Sequence, residues 1–555
     1  MLSIEDQPRR ISRKAFIGLG GISVVGLALS VNYRGPLHAL GARAAEGKAP
    51  SQATGYGSLV PKGDLRLPAE FNYQIISRQA VRQHDGTLTP GIFDAMCALP
   101  DASGSRSPID DFMGGNHTAT GFTSSPSGHT TILIRNHENR RRPGEIPVVV
   151  PPSLRYDEDP SYAGGCTKLV VRRTQRECDA ATGLPTYEFE IIESFNILGG
   201  TDTNCAGGEL PFKKWITCEE VVNRGATGKK HGYNFEIDAM SDGPVEAIPI
   251  PQAGRFMHEA TAWVSGILYQ TEDRGLVPDP VLGMIGSSFY RYIPDQCVGQ
   301  SSNLAETKGR LEALAIEGQP HFNADAYTAV GIPLPVEWVL VEEPDHDDDT
   351  DDRQDRLPGL TPTRIQAQDK GAAYFDREEG MWVSGGGEGA KVYFSCTEGG
   401  PTNLGQVWEY DPGRETLTLI YVSLERTTLE NPDNVTIVPH TQDIFLCEDS
   451  PGPQFIRGVT QDGEIYDFAQ AITNDTEFCG ACFDPDGQVL YVNQQGHRLS
   501  ETEPPEGTPE TRAVTYAIYG PFEKRLGANK EDSDNESSDN SDKGSSDDSD
   551  KDQEH

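Results

Sequence analysis

The chain has 555 residues, 36% hydrophobic and 24% charged, with 59 glycines, 39 prolines and a net charge of −38. That length excludes one small domain, and the aliphatic and aromatic strands of its middle exclude disorder there. So acidic a surface excludes nucleic acid and anionic membrane as partners.

The segment Ser12-Arg13-Lys14-Ala15-Phe16-Ile17 has the register of a twin-arginine signal, with Lys14 in the second arginine's place and Arg9-Arg10 just upstream. A glycine-rich apolar stretch follows from Phe16 to Val31. It is short of the ~20 residues a membrane span needs, and Ala42-Arg43-Ala44 is a small-x-small cleavage site. Residues 1–44 therefore read as a signal peptide recognised by the twin-arginine machinery, with no stable membrane anchor, and 45–59 as a linker. The destination is the periplasm or the exterior. Export of a folded chain suits a metal loaded beforehand. Ten cysteines are too few for a disulfide scaffold, though one or two bridges fit the count.

Residues 60–522 read as an all-β domain of short strands bounded by Gly, Pro, Asn and Asp. One strand ending recurs. Thr131–Glu138 is the first, followed by Trp215–Glu220, Leu268–Asp273, Val392–Glu398 and Ile444–Asp449, and Leu490–Gln495 closes the series with amides. Each is an apolar run ending in Thr, Cys or Asn and then an acid or amide. The later copies recur about every 45–55 residues, a period of β-propeller blades. Val339–Glu343 is a candidate seventh copy, so the count is six or seven, with six favoured. If these strands line the channel, their ends put a ring of carboxylates at one mouth. Clustered carboxylates repel one another, and a hard cation such as Ca²⁺, with six to eight oxygen ligands, compensates them. Asn303–Glu317, with Leu304, Leu311, Leu314 and Ala315 on one face, reads as a helix. Asp345–Asp355 reads as an exposed acidic loop. Residues 523–555 form an acidic tail; Glu531–His555 holds eleven acids and two lysines and has almost no apolar residue.

At Asn204-Cys-Ala-Gly-Gly-Glu-Leu-Pro-Phe-Lys-Lys-Trp-Ile-Thr-Cys-Glu-Glu220 the chain resembles the PhoX-type bacterial alkaline phosphatases. The resemblance continues in order through Leu67–Tyr73, Asn136-His-Glu138, Gly254–Glu259, Asp376–Gly380 and Phe483–Gly487, covering nearly all of 60–500. It implies a six-bladed propeller that hydrolyses phosphomonoesters at a cluster of ferric iron and calcium. On matching positions it implies that Cys205 is an iron-bound thiolate and that Glu259 and Glu379 are cluster ligands. It implies that Asn136, Glu220 and Arg377 contact phosphate. Glu138, Glu219, Glu272, Asp273, Glu448 and Asp449 join the candidate ligands. The turn Phe212-Lys213-Lys214 and the acidic run 345–355 depart from the family pattern.

The chemistry is coherent. Phosphate monoesters are dianions, which an acidic channel repels unless cations reverse its sign. Thiolate and carboxylates suit ferric iron, and an arginine forks two phosphate oxygens. His137 and His258, each preceding a key glutamate, read as supports of the ligand shell. Cys479-Gly-Ala-Cys482 has redox spacing but does not open a helix, Gly385–Gly389 reads as a hairpin turn, and no Gly-x-Ser-x-Gly elbow occurs in the mature chain. The partners implied are small phosphate esters, acted on by a monomer. A lactonase-like calcium-dependent propeller hydrolase and a non-catalytic, metal-stabilised propeller are the alternatives.

Overall fold

The computed structural model describes residues 54–101, 129–140, 145–180, 182–299, 302–349, 361–496 and 511–526. The signal segment, most of the linker and the acidic tail beyond 526 lie outside them. The regular structure of the described chain is nearly all strand. It is arranged as antiparallel meanders whose first strands are β1 (Phe93–Pro100), β2 (Asn204–Leu210), β3 (His258–Val264), β4 (Glu378–Ser384), β5 (Pro432–Ile437) and β6 (Phe478–Phe483). These six pack side by side in a closed ring, β6 returning to β1. The expected propeller architecture is the one observed.

The ring is closed by the two ends of the domain. Strand Asn72–Arg78 adds to Val514–Tyr519, pairing Asn72 with Tyr519 and Ile75 with Tyr516, and so completes the meander that begins at β6. Leu65–Pro68 caps the neighbouring meander through Ala471. Arg135, fully buried between the first and last meanders, donates to Ser77 Oγ at 3.1 Å and Thr515 Oγ1 at 2.8 Å, with its guanidinium 3.5 Å from the Phe93 ring centroid. One side chain thus ties strands from both ends of the domain.

Three expectations change. The strands carrying the repeated endings are the second of each meander, not the innermost. Because strands one and two run antiparallel, the end of the second lies beside the start of the first, and the acids still gather at one mouth. Residues 303–317 are not a helix: a 3₁₀ turn at Leu304–Glu306 precedes a strand, Gly309–Ile316. That strand lies between Tyr290–Pro294 and Leu334–Val341 and buries Leu311, Ala313, Leu314 and Ala315. Apolar residues on both of its faces imitate a helical stripe. Finally, Val339–Val341 ends an outer strand of the third meander, which joins the fourth through Leu334 and Leu417. It does not face the ring.

The described part of the acidic run is docked. Arg224 pairs with Asp347 and Asp349, Lys230 with Asp345, and buried Arg255 with Asp349 at 2.6 Å. All ten cysteines are free thiols, and Cys479 and Cys482 lie within β6 itself.

Thr515→Val keeps the side-chain shape but strands a buried guanidinium N–H at the closure. The expected cost is about 1–3 kcal/mol, read as a lower urea midpoint with unchanged m-value.

Candidate metal and phosphate site

Each of the six inner strands slips register against its partner close to its first residue. The shifts fall between Phe93 and Met96, Asn204 and Gly207, His258 and Thr261, Glu378 and Met381, Pro432 and Val435, and Cys479 and Cys482. A β-bulge re-aims the side chain it carries. The residues at the equivalent place are Asp94, Cys205, Glu259, Glu379, Asp433 and Gly480. Five are acids or a thiol. The sixth is glycine: its φ is +61°, and a Cβ there would sit 2.5 Å from the Asp94 carbonyl oxygen.

The bulge residues meet acids that follow the second strands. Asp94, Glu138 and Cys205 form one group with ligand atoms within 4.8 Å of one another. Cys205, Glu220 and Glu259 form the next, then Glu259, Glu379 and Asp433, then Asp433, Asp449 and Glu477. The groups share members, so nine acid or thiol side chains make one chain around the mouth. Two guanidiniums answer them directly. Arg377 donates to Asp273 through Nε and NH2, both at 2.9 Å, and to Glu379 at 2.7 Å. Arg140 pairs with Glu138 and with Glu220, the latter at 2.9 Å. Arg377 has φ +54°, an uncommon conformation for a non-glycine residue. Its N–H on the Arg274 carbonyl and its carbonyl under the Thr397 N–H fix it there. Beneath the ring, Ala95, Ala206, Ala260, Gly380, Asn434 and Ala481 leave a space of about 10 Å³, at the lower limit for one water.

Burial pushes the Asp94 carboxyl up to about 6 and that of Glu220 up to about 8. Burial, and then carboxylate neighbours, raise Glu259, Glu379, Asp433 and Glu477 well above the ordinary range. Burial, and then Asp94, push up the Cys205 thiol. Burial also acts to raise Asp273, but Arg377 carries it below the usual carboxylate value. Both carboxylate oxygens of Glu259 are buried without a hydrogen-bond partner among the described residues. An orphaned carboxylate between a thiol and further acids fits a cation, because leaving it charged and alone costs more than native structures tolerate.

Among the sequence-derived candidates, the structure brings together Cys205, Glu138, Glu220, Glu259, Glu379 and Asp449, with Asp273 and Arg377 beside them. It turns Glu219, Glu272 and Glu448 away, because neighbouring residues of a strand face opposite sides. Glu219 accepts from His231 at 2.7 Å and from the Asp202 and Gly232 N–H groups at 2.9 Å. Glu272 accepts from Ser288 N–H and Tyr290 O–H, both at 3.0 Å, and Glu448 from Arg457 and Glu430 N–H, both at 2.9 Å. These three brace their own meanders.

Asn136 also differs from expectation. Its amide donates to the Cys205 and Ala206 carbonyls at 2.9 and 2.7 Å, and its oxygen accepts from Trp215 at 3.0 Å and Cys166 at 3.1 Å. Fully buried, it has no N–H left for phosphate and instead holds the bulge that aims Cys205. His137 and His258 bond the Gly91 and Gly254 carbonyls, as supports rather than members of the groups. Sequence reasoning missed Asp94, Asp433, Glu477 and Arg140. The signal for the first two was present: Phe93-Asp-Ala-Met and Pro432-Asp-Asn-Val match His258-Glu-Ala-Thr and Glu378-Glu-Gly-Met, an acid before a small residue at each strand start.

The family model for alkaline phosphatase PhoX matches residues 54–497. The chain belongs to the PhoX alkaline phosphatase family. The structure of Pseudomonas fluorescens PhoX in complex with vanadate, a transition-state analogue, is 15% identical and covers 84% of this chain and 98% of its own, with a TM-score of 0.54. A putative 6-phosphogluconolactonase from Bacteroides uniformis covers 73% of this chain and 89% of its own at 12% identity, with a TM-score of 0.28. No curated protein sequence matches the chain. No helix among the described residues is long and apolar enough to cross a membrane.

The raised carboxyls make a stability prediction for protein stripped with a chelator. A carboxyl whose folded pKa exceeds its unfolded value, 3.8 for Asp94 and 4.5 for Glu220, binds more protons folded than unfolded. Stability is therefore full below that value and is lost as pH rises to the folded one. With Asp94 at about 6 and Glu220 at about 8, the melting temperature of the stripped PhoX-family protein should fall steadily from pH 5 to 8. A flat or rising profile over that window would contradict the burial of these groups.

Proposed function

We propose that this PhoX-family protein is an exported phosphomonoesterase whose ring of acids and one thiol holds iron and calcium. The observation that carries this reading is Glu259, buried with two unpartnered carboxylate oxygens between Cys205, Glu220, Glu379 and Asp433. Cys205, Glu259, Glu379 and Asp433 are the residues that would hold iron, the thiol favouring a softer ion than calcium. Asp94, Glu138, Asp449 and Glu477 are an oxygen-only set suited to calcium. Bound there, the ions supply positive charge that offsets a phosphate dianion and polarises its oxygens.

The remaining groups have roles that follow from their positions. Asp273 grips Arg377 from two sides, and the Arg377 peptide is pinned at both ends. Its guanidinium is therefore oriented before substrate arrives. With Nε and NH2 committed to Asp273 and Glu379, NH1 is the nitrogen left to donate to a phosphate oxygen. Glu220, paired with Arg140 and bordering Cys205 and Glu259, is the carboxyl placed to pass a proton to a departing alkoxide. The space of about 10 Å³ beneath the ring is too small for a phosphate ester. Cys205 must shed its proton to bind a metal, so uptake is proton-coupled. Support for export lies in Ser12–Ile17, the apolar stretch to Val31 and Ala42-Arg43-Ala44.

The test is elemental analysis of protein exported through its own signal, with turnover of an aryl phosphate measured on the same sample. Iron and calcium with turnover are expected, whereas calcium alone and no phosphate release would sink the proposal. Cys205→Ala should lose iron and activity yet keep the far-ultraviolet spectrum of the fold. Arg377→Ala should keep its metals and lower kcat/KM by roughly 100-fold, the scale of about 2.7 kcal/mol for a lost charge-assisted contact; unchanged turnover would remove Arg377 from the site.

A further inference from the structure

Arg140 lies two residues beyond Glu138, in the loop that leaves the second strand of the first meander. Its backbone N–H donates to Glu145 Oε2 at 2.8 Å, which fixes the start of that loop. Its guanidinium reaches over the ring and pairs, through NH2 alone, with Glu138 and Glu220. The side chain keeps 39% of its surface exposed, against 30% for Arg377. The two arginines come from different parts of the ring, Arg377 from the residue before β4. Yet both act on the same carboxyl: Arg140 and Arg377 each favour the charged form of Glu220.

A guanidinium has five N–H donors in a rigid fork. Arg140 commits one nitrogen to its carboxylate partners. Nε and NH1 make no hydrogen bond with the described residues, whereas Arg377 commits both Nε and NH2 to acids. Arg140 is thus anchored at one corner, with a donor edge left over at the mouth. In a chain with 85 acids and 47 lysines and arginines, a partly exposed arginine there offers an entering anion a cationic donor edge among acids.

We infer that Arg140 is a second substrate-binding arginine, and that with Arg377 it forms a clamp on the phosphate group astride Glu220. This rests on the phosphomonoesterase reading above. Arg140 contacts the ester after entry and adds affinity in ground and transition states alike. Its loss is therefore expected in KM more than in kcat. Glu138 and Glu220 hold its guanidinium in place, so Arg140 is oriented by the same acids that border the metal groups.

The experiment compares wild type, Arg140→Gln and Arg140→Lys in three measurements: iron and calcium content, the Kd of inorganic phosphate by calorimetry, and KM and kcat on an aryl phosphate. Arg140→Gln should raise KM and the phosphate Kd at least ten-fold, change kcat by less than three-fold and leave metal content unchanged. Arg140→Lys, which keeps the charge and loses the fork, should fall between. Wild-type phosphate affinity in both variants overturns the inference. So does loss of metal in step with loss of affinity, which would make Arg140 only a counter-ion of the ring. If Arg140→Gln does not fold, Arg140→Lys decides alone: a phosphate Kd raised three-fold or more supports the clamp, and an unchanged one overturns it. A wild type without turnover would defeat the phosphomonoesterase reading. A turning-over wild type whose Arg140 variants match it would defeat only the clamp.

Discussion

Repulsion among carboxylates is the constraint around which this protein is built. Nine acid or thiol groups crowd one mouth of the ring, and burial removes from most of them the water that would screen their charge. The fold accepts that cost six strands over. Each inner strand gives up a regular ladder near its start, and five of the six present an acid or thiol there, with Gly480 in the sixth place. Only closely packed neighbours could hold such bulges, and the small residues that follow them allow the strands to approach.

The supports of the ring are as specific as its members. Asn136 uses its whole hydrogen-bonding capacity to hold the Cys205–Ala206 peptide, with Trp215 and Cys166 closing the set. Glu219, Glu272 and Glu448 spend their charge inside their own meanders. Adjacent carboxyls, one strand position apart, therefore serve opposite ends: one stiffens the sheet and the next faces the mouth of the ring. Arg377 shows the same division, its Nε and NH2 held by Asp273 and Glu379 and its NH1 left over.

How much of this was legible in the sequence follows from how each feature is encoded. The second strands were readable because an uninterrupted apolar run ends in an acid, and their ends led to Glu138, Glu220, Asp273 and Asp449. The inner strands were harder to read because a bulge breaks the two-residue alternation that reveals a strand. Asp94 and Asp433 were therefore overlooked although they repeat the pattern of Glu259 and Glu379. The strand at Gly309–Ile316 imitated a helix because it is apolar on both faces. Asn136 was placed at the phosphate by its motif, and only contacts distant in sequence, at residues 205 and 206, show what its amide does. The parity of Glu219 and Glu220 was likewise hidden, since either of two neighbouring acids suits a motif and only backbone direction chooses between them.

Closure by Asn72–Arg78 and Val514–Tyr519 has a consequence for the timing of assembly. The strand that completes the last meander is among the first to be synthesised and waits more than 400 residues for its partner. Until Val514–Tyr519 is made, Asn72–Arg78 has no strand to pair with, and the last meander lacks its two outer strands. Long-range pairing of this kind is slow, because the loop it closes must first lose its freedom. The complete ring therefore exists only in finished, closed molecules. A chain truncated of either closing strand keeps all nine acid and thiol residues of the mouth but loses the pairing that completes the last meander.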